Sequence, residues 1–327
     1  ENALEIKDLS VSFTTEGRKA EVVSGVSIEV PEGKIVGVVG ESGCGKTVTA
    51  LSAMRLIPEP PGKIENGRIM FDGADLLKYA DRDMRSVRGN RISMIFQEPI
   101  SSLNPVFTVG DQIGEAIRTH RNISKSEERK RVIELLKLVG IPSPEQRINN
   151  YPHEMSGGMS QRVMIAMALA CDPEVLIADE PTTALDVTIQ AGILELIDDI
   201  RKRLGMSVLL ITHDLGIIAE IADEVYVMYA GKVVEHSDTG RLFNNPRHPY
   251  TVGLLSSIPD LRKNKEVLNA IPGLVPSPGD YPSGCRFRDR CPMAVEVCAK
   301  EEPPFIEYEP GHFSACFRAE EVTNGIY

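Results

Sequence analysis

The chain has 327 residues, a formal net charge of −11, 42% hydrophobic residues and 25% charged residues. That balance is the composition of a folded chain, and at about 150 residues per domain it predicts two domains or one large one with an appendage. It argues against a nucleic-acid partner, since displacing counterions needs clustered Lys and Arg, and the most apolar stretches fall well short of the roughly 20 residues that a membrane-spanning helix needs.

In chain order, Ile35–Val39 is a β-branched run that reads as a buried strand, followed by a glycine-rich loop. Thr47–Leu56 then reads as a helix, ended by Pro58, Pro60, Pro61 and Gly62. Gly67–Asp72 and Arg91–Phe96 read as strands. Residues of about 99–170 are mostly helical and are expected to form a lobe of their own. Ser124 and Glu127 make a capping-box pattern there, and Val132, Leu135, Leu136 and Val139 give an i, i+3, i+4, i+7 face. Glu174–Ala178, Ser207–Thr212, Glu224–Met228 and Lys232–Glu235 read as strands. Between the first two lies a helix of about 187–204, whose apolar face is Ile189, Ile193, Leu196, Ile197, Ile200 and Leu204. Strands alternating with helices imply a parallel sheet. Beyond about 240 proline becomes frequent and one short helix, about Tyr250 to Ser257, is expected. The division is therefore 1–240 for the main domain and 241–327 for an appended, irregular module.

Gly40-Glu41-Ser42-Gly43-Cys44-Gly45-Lys46-Thr47, with Val48 behind it, fits G-x-x-x-x-G-K-[ST] at every defined position. Backbone N–H groups must converge on phosphate oxygens in such a loop, so glycines stand where side chains would obstruct. The following helix adds the positive end of its dipole. Lys46 is expected on the β- and γ-phosphates and Thr47 on Mg²⁺. The apolar run 175–178 then delivers Asp179 and Glu180 at its end. Asp179 is expected to support Mg²⁺, and Glu180 to polarise the attacking water.

Met155-Ser156-Gly157-Gly158-Met159-Ser160-Gln161-Arg162 resembles the signature motif of the ATP-binding-cassette (ABC) ATPases, although its first and fifth positions are Met. Gln97 resembles that family's Q-loop glutamine, which also reaches Mg²⁺, and Thr183-Ala184-Leu185-Asp186 resembles the D-loop. His213 resembles the switch histidine that senses the γ-phosphate, and Phe13 stands where the family stacks a ring on adenine. The resemblance covers about residues 3–240. It implies an α/β P-loop NTPase core with an antiparallel β subdomain and a helical subdomain. It also implies two cassettes meeting head to tail, with Ser156, Gly157, Gly158 and Asp186 of one completing the ATP site of the other.

Phe96-Gln97-Glu98-Pro99-Ile100-Ser101-Ser102-Leu103-Asn104-Pro105 and Asn245-Pro246-Arg247-His248-Pro249-Tyr250-Thr251 resemble the oligopeptide/dipeptide importer ATPases, and their D-type subunit in particular. For such a subunit the resemblance implies an F-type cassette partner, two transmembrane permease subunits at the cytoplasmic face of the membrane, and, indirectly, an extracellular peptide-binding protein. Nickel or another small solute is the alternative cargo, and a cassette ATPase outside transport is the rival function. Cys285, Cys291, Cys298 and Cys316 are separated by five, six and seventeen residues. They resemble the [4Fe–4S]-binding tail of some of these importers. Tetrahedral Zn²⁺ and unligated thiols or disulfides remain alternatives, the close cysteine pairs usual for zinc being absent.

Overall fold

The computed structural model describes residues 1–97, 102–183, 185–257 and 271–323. The chain opens with two long strands, β1 (Asn2–Thr15) and β2 (Arg18–Pro31), and the short strand β3 (Ile35–Val39), every residue of which is buried. The loop at 40–45 leads into α1 (Lys46–Ala53). This helix stops before the prolines expected to end it. Leu56 N–H donates to Leu51 C=O at 2.8 Å and Arg55 N–H to Ser52 C=O at 2.9 Å. With Arg55 at φ 50°, this is a Schellman ending in which arginine holds the left-handed position usually given to glycine. Next come β4 (Gly62–Phe71), β5 (Ala74–Asp75), α2 (Asp81–Val87) and β6 (Ile92–Ile95).

The helical segment contains α3 (Val109–His120), α4 (Lys125–Leu138), α5 (Pro144–Arg147) and α6 (Gly157–Ala168) among the described residues. The capping box at Ser124 and Glu127 is formed in both directions. Val132, Leu135, Leu136 and Val139 are all buried as the periodicity requires. Then follow β7 (Val175–Asp179), α7 (Val187–Leu204), β8 (Ser207–Thr212), α8 (Leu215–Ile221), β9 (Glu224–Tyr229) and β10 (Lys232–Asp238). On α7 the buried residues are Ile193, Leu194, Ile197 and Ile200, whereas Leu204 is 39% exposed. The inward stripe is therefore rotated from the expected one. The last elements are α9 (Thr239–Asn244), α10 (Pro249–Ser256), α11 (Glu296–Lys300), β11 (Ile306–Glu309) and β12 (His312–Ser314).

Two compact units are formed. One holds residues 78–210 with 31–34. In it β6 pairs in parallel with β7, from Ile92 opposite Val175 to Ile95 opposite Ala178, and β8 follows β7 in the sheet order. Helices α3, α4 and α6 pack on one another through fully buried Ile113, Ile117, Leu135, Leu136 and Val163. Each such side chain contributes about 1.5–3 kcal/mol of burial.

The other unit holds residues 2–30, 35–77 and 211–327. It contains a four-stranded sheet in the order β2-β1-β4-β5, with β1 and β4 antiparallel, as the expected antiparallel subdomain requires. It also contains β3 paired in parallel with β9, and β9 antiparallel to β10. The sheet continues past residue 240, because β12 pairs with β10 and β11 with β12, both antiparallel. Among the described residues, the chain from about 239 onward thus adds two strands and three short α-helices where one helix was expected. No helix among the described residues is long and apolar enough to cross a membrane.

Candidate nucleotide site

The phosphate loop follows β3 directly. A Cβ on Gly40 would lie 2.2 Å from Met228 O and 2.8 Å from Cys44 Sγ, so only glycine fits that backbone. Gly45 stands at the N-cap of α1 with φ 100° and brings no capping side chain. The first amides of the helix are therefore left for an anion. Lys46 is 5% exposed. Its Nζ donates to Gly40 O at 2.6 Å and Glu41 O at 3.0 Å, holding a cation at the centre of the loop. Cys44 is buried, and burial pushes its thiol pKa up. It packs the loop from beneath as a neutral group. Ser42, Gly43 and Thr47 are exposed and Val48 is half-buried. In the same unit, half-buried Phe13 lies on β1 opposite Gly62, and exposed His213 follows β8.

Gln97, Asp179 and Glu180 gather in the other unit. Asp179 ends β7 and is 2% exposed. Glu180 follows in the left-handed region at φ 47°, a conformation that costs a non-glycine residue about 1–3 kcal/mol and is held by its surroundings. Thr183 Oγ1 donates to Glu180 Oε2 at 2.8 Å, and Gln97 Nε2 donates to the same oxygen at 3.3 Å. The carboxylate is aimed by residues from the expected Q-loop and D-loop. Gln161 of α6 donates to Pro181 O, which ties the signature helix to this turn. Thr183 and Gln161 lie inside the quoted motifs, but nothing in the sequence assigned them these roles.

Ser156 caps α6, accepting from Met159 N–H at 3.3 Å. Gly157 is exposed and Gly158 buried. A Cβ on Gly158 would meet Ile189 Cγ2 at 3.0 Å, so the glycine lets α6 and α7 approach. Asp186 is the N-cap of α7, accepting from Ile189 N–H at 2.9 Å.

Cys285, Cys291, Cys298 and Cys316 line one small cavity of about 20 Å³ together with Phe287 and Met293. All four are free thiols. Burial raises the pKa of Cys285, takes Cys291 up to about 11 and takes Cys316 up to about 12. Among the described residues no group of three or more His, Cys, Asp or Glu side chains is arranged to hold a metal ion. The expected cysteine neighbourhood is thus present without a formed metal site.

A family profile described as "ABC transporter" matches residues 23–183. A second, described as "Oligopeptide/dipeptide transporter, C-terminal region", matches residues 234–298. The chain is 53% identical over 98% of its length to a probable peptide ABC transporter ATP-binding protein of Sinorhizobium fredii, covering 96% of that protein. It is 50% identical over 95% of its length to the oligopeptide transport ATP-binding protein OppD of Bacillus subtilis, covering 87% of it. The chain belongs to the ABC ATPases of the oligopeptide/dipeptide transporter family. Among solved structures, the dimeric post-hydrolysis state of the ATP-binding cassette MJ0796 bound to ADP and Pi matches with a TM-score of 0.65 at 26% identity, over 72% of this chain and 98% of that one. The cbiO1 subunit of Clostridium perfringens matches with a TM-score of 0.63 at 27% identity, over 74% of this chain and 91% of that one.

As an ABC ATPase of this family, the chain carries the His-Pro-Tyr segment in a definite physical role. The Glu235 carboxylate on β10 is fully buried. It accepts from Arg247 N–H at 2.6 Å, from His248 N–H at 3.0 Å and from His312 Nε2 of β12 at 2.8 Å. Burial lowers the His248 pKa to about 3, so its Nδ1 keeps a lone pair and caps α10 by accepting from Tyr250 N–H at 3.1 Å. Pro249 occupies the first helical position, where its missing N–H costs nothing. Tyr250, fully buried, then reaches the phosphate loop, where its hydroxyl accepts from Glu41 N–H at 2.8 Å.

Proposed function

We propose that this ABC ATPase binds Mg-ATP at Gly40–Val48 and hydrolyses it, and that hydrolysis powers import of oligopeptides or dipeptides through membrane-embedded permease subunits. The observation that carries the reading is the convergence of Gln97 and Thr183 on Glu180, beside Asp179, in a chain that also holds a complete phosphate loop. Lys46 and the first amides of α1 neutralise the phosphates. Thr47, Asp179 and Gln97 would hold Mg²⁺, which would supply neutralising charge to the triphosphate. Glu180 orients and polarises the attacking water, His213 contacts the γ-phosphate, and Phe13 stacks on the base.

Exposed Ser156 and Gly157 at the start of α6 present a helix N-terminus to the ATP of a second cassette, with Asp186 beside them. That partner is the F-type paralogue. Two-sided neutralisation of a triphosphate stabilises the closed pair. Two transmembrane permeases meet the helical segment on the cytoplasmic face of the membrane, and an extracellular peptide-binding protein delivers cargo to them. Support for that docking comes from a cavity of about 890 Å³ lined by Ser102, Asn104, Phe107, Asp111 and Gln112, with Val106 and Phe107 exposed at 70% and 51%. The net charge of −11 argues against a broad nucleic-acid-binding surface.

Glu180→Gln keeps the side chain's size and removes its charge. ATP binding should persist while turnover falls by about 10²–10⁴-fold, the usual contribution of a positioned general base. Unchanged steady-state phosphate release would reject the role of Glu180.

The four thiols also support a cross-link in the tail. Four thiolates suit a tetrahedral Zn²⁺ ion, which is the alternative occupant. A [4Fe–4S] cluster is likewise held by four cysteine thiolates, and four cysteines line this one cavity. Cys285, Cys291, Cys298 and Cys316 would hold it, and it would supply a covalent brace for a segment with little apolar periodicity. Anaerobic purification with iron and sulfide analysis tests this. A colourless protein lacking both would remove the cluster.

A further inference from the structure

Glu41 places a carboxylate of the same sign as the ligand within the phosphate loop. The structure shows what compensates for it. Arg290 donates from Nη1 to Glu41 Oε2 at 2.7 Å and from Nη2 to Glu41 Oε1 at 2.9 Å, a two-pronged ion pair across 249 residues of sequence. The Arg290 side chain is only 5% exposed. Its Nε donates to Pro272 O at 2.8 Å and Nη2 also to Ile271 O at 3.4 Å, so the guanidinium is aimed before it meets Glu41. On the other side of the same residue, the Tyr250 hydroxyl takes the Glu41 N–H. Tyr229 packs edge to face on Tyr250 and Phe287, which are tilted against each other, with ring centroids 4.7–5.3 Å apart. Both anchors come from the C-terminal region, and Arg290 immediately precedes Cys291.

We propose that Arg290 and Tyr250 are positioning residues for the phosphate loop, acting through Glu41, so that the C-terminal region sets the affinity for nucleotide. Arg290 cancels the Glu41 charge and holds the carboxylate to the tail. Tyr250 fixes the Glu41 amide, and with it the path of the loop between Gly40 and Gly43. The short segment between Cys285 and Cys291 thereby links the order of the cysteine cavity to the order of the nucleotide site. The inference rests on the reading of Gly40–Val48 as the ATP site.

The test is equilibrium binding of a fluorescent ATP analogue with Mg²⁺ to the full chain, with a thermal melt on each variant. Arg290→Ala leaves one uncompensated negative charge beside a triphosphate and should weaken binding about tenfold, the scale of a like-charge pair at partly screened separation. Adding Glu41→Gln to Arg290→Ala removes that charge and should restore affinity to within about threefold of wild type. A guanidinium that merely packs the tail predicts no such rescue. Tyr250→Phe keeps the ring and loses the hydroxyl, and should weaken binding about threefold, as loss of one hydrogen bond does. Wild-type affinity in Arg290→Ala, or failure of Glu41→Gln to restore it, overturns the proposal. Should Arg290→Ala not fold, an unchanged Tyr250→Phe affinity overturns it instead. A wild-type chain that does not bind the analogue overturns the nucleotide reading itself, an outcome distinct from the other three.

Discussion

Replacing Glu235 by Ala should remove more stability than replacing almost any other polar residue of this chain. The carboxylate is fully buried and accepts from two consecutive amides and an imidazole. Truncation strands Arg247 N–H and His248 N–H in a site that water does not reach. Each stranded amide costs about 1–3 kcal/mol, and His312 loses its partner as well. Two stranded amides at that cost come to about 2–6 kcal/mol, and relief of the carboxylate's desolvation offsets part of this, so a net loss of about 3 kcal/mol is expected. Against a domain stability of about 5–15 kcal/mol this is a large fraction. Glu235→Gln keeps one acceptor but turns an amide NH₂ toward a backbone donor, and should cost less than Ala without being neutral. The two units need not unfold together, so urea unfolding should be followed by two probes, far-UV circular dichroism and tyrosine fluorescence, the chain having eight tyrosines and no tryptophan. His312→Ala and Glu235→Ala share a partner, and their effects should fall short of additivity. A loss below about 1 kcal/mol for Glu235→Ala would refute the view that this carboxylate anchors the His-Pro-Tyr segment.

The other predictions concern pH and packing. His248 is held neutral when folded, with a pKa lowered to about 3, whereas an unfolded histidine titrates near about 6.5. Between those values the unfolded chain binds the extra proton, so this group's contribution to stability falls as pH falls through that window, by up to about 1.4 kcal/mol per unit. His248→Asn can still cap α10 and should flatten the decline in urea midpoint between pH 6.5 and 4; an equal decline in both proteins would assign it to other groups. Gly158→Ala places a methyl 3.0 Å from Ile189 Cγ2. It should cost about 1–3 kcal/mol of overpacking, measurable as a lower melting temperature, and Ile189→Ala, which removes Cγ2, should relieve the contact, so that the double variant loses less than the two single changes sum to.

Much of the site was legible because its chemistry is local. A phosphate loop needs glycines, a lysine and a helix start within eight consecutive residues, and Gly40–Thr47 supplies them in order. The capping box at Ser124 and Glu127 spans one helical turn and formed as written. The end of α1 was misread because Arg55 takes a conformation that sequence patterns reserve for glycine. The buried stripe of α7 was misread because Leu194 and Leu204 are equally apolar, and only tertiary packing decides which one is covered.

By itself, the sequence determined the strand–loop–helix that cradles phosphate, the strand that ends in Asp179 and Glu180, and the resemblance that placed the chain among peptide-importer ATPases. Those features depend on backbone conformation and periodicity over a few residues. Tertiary structure alone decided that Gln97 and Thr183 hold Glu180 and that Glu235 anchors His248. It also decided that Arg290 and Tyr250 meet at Glu41. A buried charge or amide must find a partner wherever the fold brings one, and Glu41 and Arg290, 249 residues apart in sequence, carry no local pattern that would pair them.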